Sequence, residues 1–127
     1  MSFDELKINE NILRGIYGHG FEKPSSIQSK SIPIILSGKD IIAQAQSGTG
    51  KTGTFVVGSL QILDEKRNEP QILILAPTHE LARQIKSVVD QLGNYMKIKS
   101  LLLVGGISID DNKKELNENN PQIIVGT

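Results

Sequence analysis

Four short runs of β-branched residues or leucine recur along the chain, at residues 40–45, 71–76, 100–104 and 122–125. Longer amphipathic stretches separate them. Residues 51–65 place Phe55, Val56, Ser59, Leu60 and Leu63 on one face, and residues 79–92 place Leu81, Ala82, Ile85, Val88, Val89 and Leu92. A third stretch, 108–117, is more polar. Near-continuous apolar strands alternating with helical periodicity predict a parallel sheet with right-handed crossovers and helices on both faces, an α/β fold. Two helices are expected ahead of it. Asn9 caps residues 12–17, which end at Gly18 and Gly20, and Ser25 precedes residues 26–36, where Pro33 is expected to kink or restart the helix.

Composition narrows the function. Lys plus Arg and Asp plus Glu are 14 each, so the formal net charge is zero and a polycationic nucleic-acid binder is excluded. There is no cysteine, which removes a disulfide scaffold, a thiolate zinc site and a cysteine nucleophile. Two histidines are too few for a His-rich metal centre, and five Phe plus Tyr with no Trp make a poor stacking platform. The longest apolar run, residues 72–76, is far short of the roughly 20 residues that span a bilayer. The first ten residues carry Asp4, Glu5, Lys7 and Glu10 and no secretory apolar core. A soluble, cytoplasmic protein without a membrane partner is the expectation.

The stretch Ala45-Gln46-Ser47-Gly48-Thr49-Gly50-Lys51-Thr52 follows an expected strand and opens an expected helix. It matches the phosphate-binding pattern G-x-x-x-x-G-K-S/T, with Ala45 in the first position. Gly48 and Gly50 let successive N–H groups turn toward phosphate oxygens, and the helix N-terminus adds partial positive charge. Lys51 is placed to reach the β and γ phosphates of ATP, and the Thr52 hydroxyl to ligate Mg²⁺. The alternative is a glycine-rich turn with a solvated lysine.

These residues resemble a known family. The chain is similar to the N-terminal part of a DEAD-box ATP-dependent RNA helicase, a RecA-like P-loop NTPase domain. Residues 20–28, Gly-Phe-Glu-Lys-Pro-Ser-Ser-Ile-Gln, resemble its Q motif, with Phe3 as the isolated upstream aromatic. Residues 45–52 resemble motif I, in which alanine is usual at the first position. Pro77-Thr78-His79-Glu80-Leu81-Ala82 resembles motif Ia, Gly105-Gly106 the GG motif, and Val125-Gly126-Thr127 the approach to motif Ib. Within the family, the wording of residues 13–25 looks most like the eukaryotic translation initiation factor four-A subfamily. The implied organisation is a Q-motif helical region at 1–30 and a partial RecA-like ATP-binding domain at 31–127.

The resemblance implies that Gln28 hydrogen-bonds the adenine edge, that Phe21 stacks on the base, and that Lys23 lies beside it. Ser25-Ser26-Ile27-Gln28 equally fits a helix capping box, and the two roles can coexist. At the strand ends, Pro77, Thr78, Gly105, Gly106 and Thr127 read as ordinary turns and caps on their own residues. With the resemblance they become contacts to an RNA sugar-phosphate backbone, made without base readout. His79 departs from the arginine usual in motif Ia, His19 is expected to face solvent, and Lys113, Lys114, Glu115 and Glu118 read as a solvated helix face.

The family's acidic Asp-Glu-Ala-Asp motif and second RecA-like domain would lie beyond Thr127. The parent is therefore expected to be an RNA-remodelling ATPase, and these 127 residues alone are expected to bind nucleotide without appreciable hydrolysis. A monomer with a translation-initiation scaffold protein as partner is the further expectation. Three alternatives stay open: another P-loop NTPase, a non-catalytic helicase-like interaction module (or an RNA-decay or splicing paralogue of the parent), and a fold fragment without function of its own.

Overall fold

A computed structural model describes residues 2–44, 50–106 and 108–127. The elements are a 3₁₀ turn at Phe3–Leu6, α1 (Glu10–Gly18), α2 (Ser26–Leu36), α3 (Lys51–Ile62), β1 (Ile72–Leu75), α4 (His79–Leu92), β2 (Ser100–Leu103), α5 (Ile109–Asn119) and β3 (Ile123–Gly126). The chain divides into two compact units, Met1–Ile62 with Gln91–Met96, and Leu63–Asp90 with Lys97–Thr127.

The first unit is helical. Asn9 caps α1, its side chain accepting from the Asn11 N–H. Ile12 and Ile16 of α1, Phe3 and Leu6 of the 3₁₀ turn, Ile32 of α2 and Val56, Val57 and Leu60 of α3 are buried. Alternating turns of these helices thus supply the core, as 3.6-residue periodicity requires. Ser25 begins α2 with a complete capping box. Of the expected kink or restart at Pro33, the restart does not occur: α2 runs through it to Leu36.

The second unit holds a three-stranded sheet in the order β1-β3-β2. Both pairings are parallel, with Ile72 and Ser100 each opposite Ile123, and Leu75 and Leu103 each opposite Gly126. The buried Gln122 fixes this register at the strand entrances. Its carbonyl accepts from the Gln71 and Ile72 N–H groups, and its side-chain oxygen accepts from the Lys99 N–H at 2.9 Å. Ile74, Ile123 and Val125 share a buried face, and α4 turns Ala82, Ile85 and Val89 inward. The other face carries Leu73 and Leu75, 65% and 69% exposed, and α5 buries none of its residues.

The strand expected at residues 40–45 is not formed over its described part, and Ala45 lies outside the described residues. Residues 40–44 adopt no strand conformation, and Ile42 is fully exposed. A strand is a property of a pair: β-branched composition supplies propensity, while ladder hydrogen bonds and cross-strand packing supply the stability. None of the three described strands pairs with this segment.

Candidate functional site

The side chains expected to handle the base converge at the entry to α3. The amide of Gln28 is 4% exposed and bonds at both ends. Its Oε1 accepts from the Ser25 N–H at 2.9 Å, and its Nε2 donates to the Gly50 carbonyl at 3.3 Å. Gly50 stands at φ +93°, and a Cβ there would lie 2.6 Å from Gln28 Nε2. Position 50 therefore needs glycine for two reasons, its backbone conformation and the approach of Gln28.

Phe21 is half-buried and stacks on Phe3, with centroids 6.4 Å apart and planes at 19°. His19 meets it edge-on at 4.7 Å. Phe3 is completely buried, so it supports Phe21 from beneath. Gly53 lets Phe21 and Gln28 reach the first turn of α3: a Cβ there would sit 3.1 Å from Phe21 Cε2 and 2.9 Å from Gln28 Nε2. Sequence reasoning passed over Gly53. The available signal was a glycine inside an expected helix, three residues after Gly50, where helix propensity disfavours it.

Lys51 opens α3 and is exposed, with Thr52 half-buried behind it. Ala45, Gln46, Ser47, Gly48 and Thr49 lie outside the described residues. The Gly50 carbonyl accepts from the Thr54 N–H and the Thr54 hydroxyl, both at 3.0 Å, which pins the start of the helix. A 12-residue helix beginning at an exposed lysine presents its first-turn N–H groups and a cation in one direction, and these suit a phosphate tail. No group of three or more His, Asp or Glu side chains among the described residues could hold a metal. Thr52, the second residue of α3, carries the hydroxyl expected to meet a Mg²⁺ ion. Lys23 is exposed on the loop before α2.

The strand ends form a second constellation. Because Leu75, Gly126 and Leu103 are in register, β1, β3 and β2 finish side by side. The residues that follow them, Pro77-Thr78, Thr127 and Gly105-Gly106, therefore lie along one rim with Thr127 in the middle. Hydrogen bonds lock it: Ala76 N–H donates to Gly126 O at 2.9 Å, and Thr127 N–H donates to Leu103 O at 3.3 Å. Gly126 is required here, since a Cβ would stand 2.8 Å from Leu103 O. Thr78 Oγ1 accepts from the Leu81 N–H and caps α4, while Gly106 turns the chain at φ +91°. The imidazole of His79 lies against this turn. A Cβ on Gly105 would be 3.1 Å from His79 Cε1 and 3.4 Å from Nε2.

A parallel sheet with phosphate-friendly turns at its carboxyl rim, and a glycine-rich helix start facing an aromatic and an amide, define a P-loop type of α/β protein. The model of the DEAD/DEAH box helicase family matches residues 25–127, and the chain belongs to that family. The chain is 50% identical to the ATP-dependent RNA helicase FAL1 of Vanderwaltozyma polyspora over 126 residues, covering 99% of this chain and 32% of that protein. It is 54% identical to the ATP-dependent RNA helicase eIF4A of Kluyveromyces lactis, with the same coverage of each chain. Among solved structures, S. cerevisiae Dbp5 bound to RNA and ADP BeF3 superposes with a TM-score of 0.88 at 41% identity, over 99% of this chain and 32% of that one. The chain thus spans about a third of the length of these relatives.

Proposed function

We propose that this chain grips ATP and part of an RNA strand for an ATP-dependent RNA helicase, which uses ATP hydrolysis to bind and unwind or remodel RNA. The observation that carries the reading is the convergence of Phe21, Gln28, Gly50 and Gly53 at the start of α3. It joins a base-sized aromatic and an amide to a helix N-terminus led by Lys51. Gln28 offers donor and acceptor atoms together, the pattern that separates adenine from guanine. Lys51 neutralises the β and γ phosphates, and the Thr52 hydroxyl is one protein oxygen for Mg²⁺. When bound, Mg²⁺ supplies Lewis-acid charge to the phosphates. The rim formed by Pro77, Thr78, Gly105, Gly106 and Thr127 offers N–H groups and hydroxyls to a sugar-phosphate backbone without reading bases. Relatives named as RNA helicases, and a neighbour solved with RNA and ADP BeF3, support both halves.

The test is calorimetric titration of the intact protein with ATP and GTP, followed by hydrolysis assays with and without single-stranded RNA. ATP preference and RNA-stimulated turnover are expected. A flat ATP titration, or a preference for GTP, would overturn the reading.

The finer assignment we carry is a cytoplasmic monomer in translation initiation, working with a scaffold protein. Its support is the eIF4A name at 54% identity. The name FAL1 at 50% identity supports an alternative pathway. Restoring initiation in an extract depleted of eIF4A would uphold the first assignment, and failure to do so with an ATPase-competent protein would favour the second.

A further inference from the structure

Phe21 hangs on the irregular segment between α1 and α2, where neither a helix nor a ladder sets its direction. The end of α1 sets it instead. Gly20 N–H donates to the Tyr17 carbonyl at 3.1 Å, and Phe21 N–H donates to the Ile16 carbonyl at 3.2 Å. Gly20 stands at φ +99°. These are the two bonds and the left-handed residue of a Schellman turn, with His19 as the C-cap of α1 and Phe21 just past the glycine. The turn folds the chain so that the rings on either side of Gly20 meet. Their centroids are 4.7 Å apart and their planes stand at 81°. His19 was expected to face solvent, but it is half-buried. The other ring beside Phe21, that of Phe3, lies 6.4 Å away and nearly parallel. At that separation a parallel neighbour leaves the Phe21 plane room to tilt, whereas a perpendicular ring at 4.7 Å is in contact and resists tilting.

We propose that His19 is a positioning residue for base stacking: its imidazole, held against Phe21 by the cap of α1, fixes the plane on which an adenine base lies. The inference rests on the reading that Phe21 stacks on the base. Stacking needs a parallel approach, and a ring that tilts freely must be ordered when the base arrives. His19 sets that order beforehand, so binding does not carry the cost of it. The contact is ring against ring, so a phenyl group should serve in place of the imidazole.

The experiment titrates the intact protein with ATP in five forms: the parent, His19→Ala, His19→Phe, Phe21→Ala and the variant carrying both alanines. His19→Ala should weaken ATP binding roughly threefold to tenfold, the range of one aromatic pair. His19→Phe should bind within about twofold of the parent. On the Phe21→Ala background, His19→Ala should cause no further loss, because it acts only through that ring. Three results overturn the inference: parental affinity in His19→Ala, a loss that His19→Phe does not restore, or a further loss on the Phe21→Ala background. Tighter binding by His19→Ala overturns it too, since the imidazole would then cover the stacking face. Parental ATP affinity in Phe21→Ala overturns the stacking reading itself, whatever His19 does.

Discussion

Gln28 and Gly50 are joined by a hydrogen bond of 3.3 Å from the side-chain amide to the main-chain carbonyl. The same amide holds the Ser25 N–H, so one side chain caps α2 and touches the start of α3. The two losses on removing it are unequal. Gly50 O keeps its two bonds from Thr54, whereas the Ser25 N–H is left without its partner. Both amide ends are engaged, so hydrogen-bonding an adenine edge means sharing or exchanging these bonds. With the proposed adenine-reading role, base recognition would be coupled to the start of α3 through this one side chain.

Gln28→Ala should therefore cost stability and affinity together. Loss of a capping interaction and a buried hydrogen bond amounts to about 1–2 kcal/mol. Denaturant unfolding should register that loss, and calorimetry should show ATP affinity falling about tenfold with ATP preference over GTP reduced. Gln28→Glu keeps the acceptor for Ser25 but sets an oxygen against the Gly50 carbonyl. It should bind ATP no better than the alanine variant. Full ATP preference in Gln28→Ala would remove the adenine-reading role.

Gly53→Ala separates folding from binding. Alanine is favoured over glycine inside a helix by about 1 kcal/mol. Its Cβ, however, would press on Gln28 Nε2 and Phe21 Cε2 at 2.9 and 3.1 Å. Both neighbours are side-chain groups that can give way, so the fold should hold its melting temperature while the base site is displaced. A roughly fivefold to tenfold loss of ATP affinity is expected, equivalent to about 1 kcal/mol. An unchanged affinity would mean that the base does not sit against this turn.

Much of the architecture was legible because helices and turns announce themselves locally. The α4 boundaries, the Asn9 and Ser25 caps and the three parallel strands follow from short-range periodicity and cap chemistry. The segment 40–44 was not legible for the opposite reason. Its isoleucines look like a strand, but a strand needs a pairing partner, and the described sheet pairs β1, β3 and β2 with one another. At Pro33 the helix does not restart: α2 continues through it, packed against α3. At the site, residue types could nominate Phe21 and Gln28. The glycines that make room for them, and the imidazole lying on Gly105, are contacts between distant segments and required coordinates.

Lys51→Ala tests the phosphate end alone. Lys51 is exposed at the first position of α3, so unfolding free energy should move by no more than about 0.5 kcal/mol. A charge-assisted hydrogen bond to phosphate contributes about 1.5–3 kcal/mol, so ATP affinity should fall roughly tenfold to a hundredfold or more. AMP, which lacks the β and γ phosphates, should bind parent and variant alike. A variant with parental ATP affinity would show that the triphosphate lies elsewhere.

Two alanine substitutions in one helix should act with opposite sign. Gly15 lies where α1 meets the backbone of Leu92: an added Cβ would stand 2.0 Å from the Leu92 carbonyl oxygen and 2.8 Å from its carbon. Main chain cannot rotate away as a side chain can, so Gly15→Ala must push α1 off this contact. The expected cost is about 3 kcal/mol or more, well beyond the helix-propensity gain of about 1 kcal/mol. Gly18, at the end of α1, has only the Tyr95 ring nearby at 3.9 Å, an ordinary contact. Gly18→Ala should be neutral or mildly stabilising, by up to about 1 kcal/mol. Thermal unfolding of the two variants beside the parent decides the matter, since equal melting temperatures would mean that α1 does not pack against Leu92 at this distance.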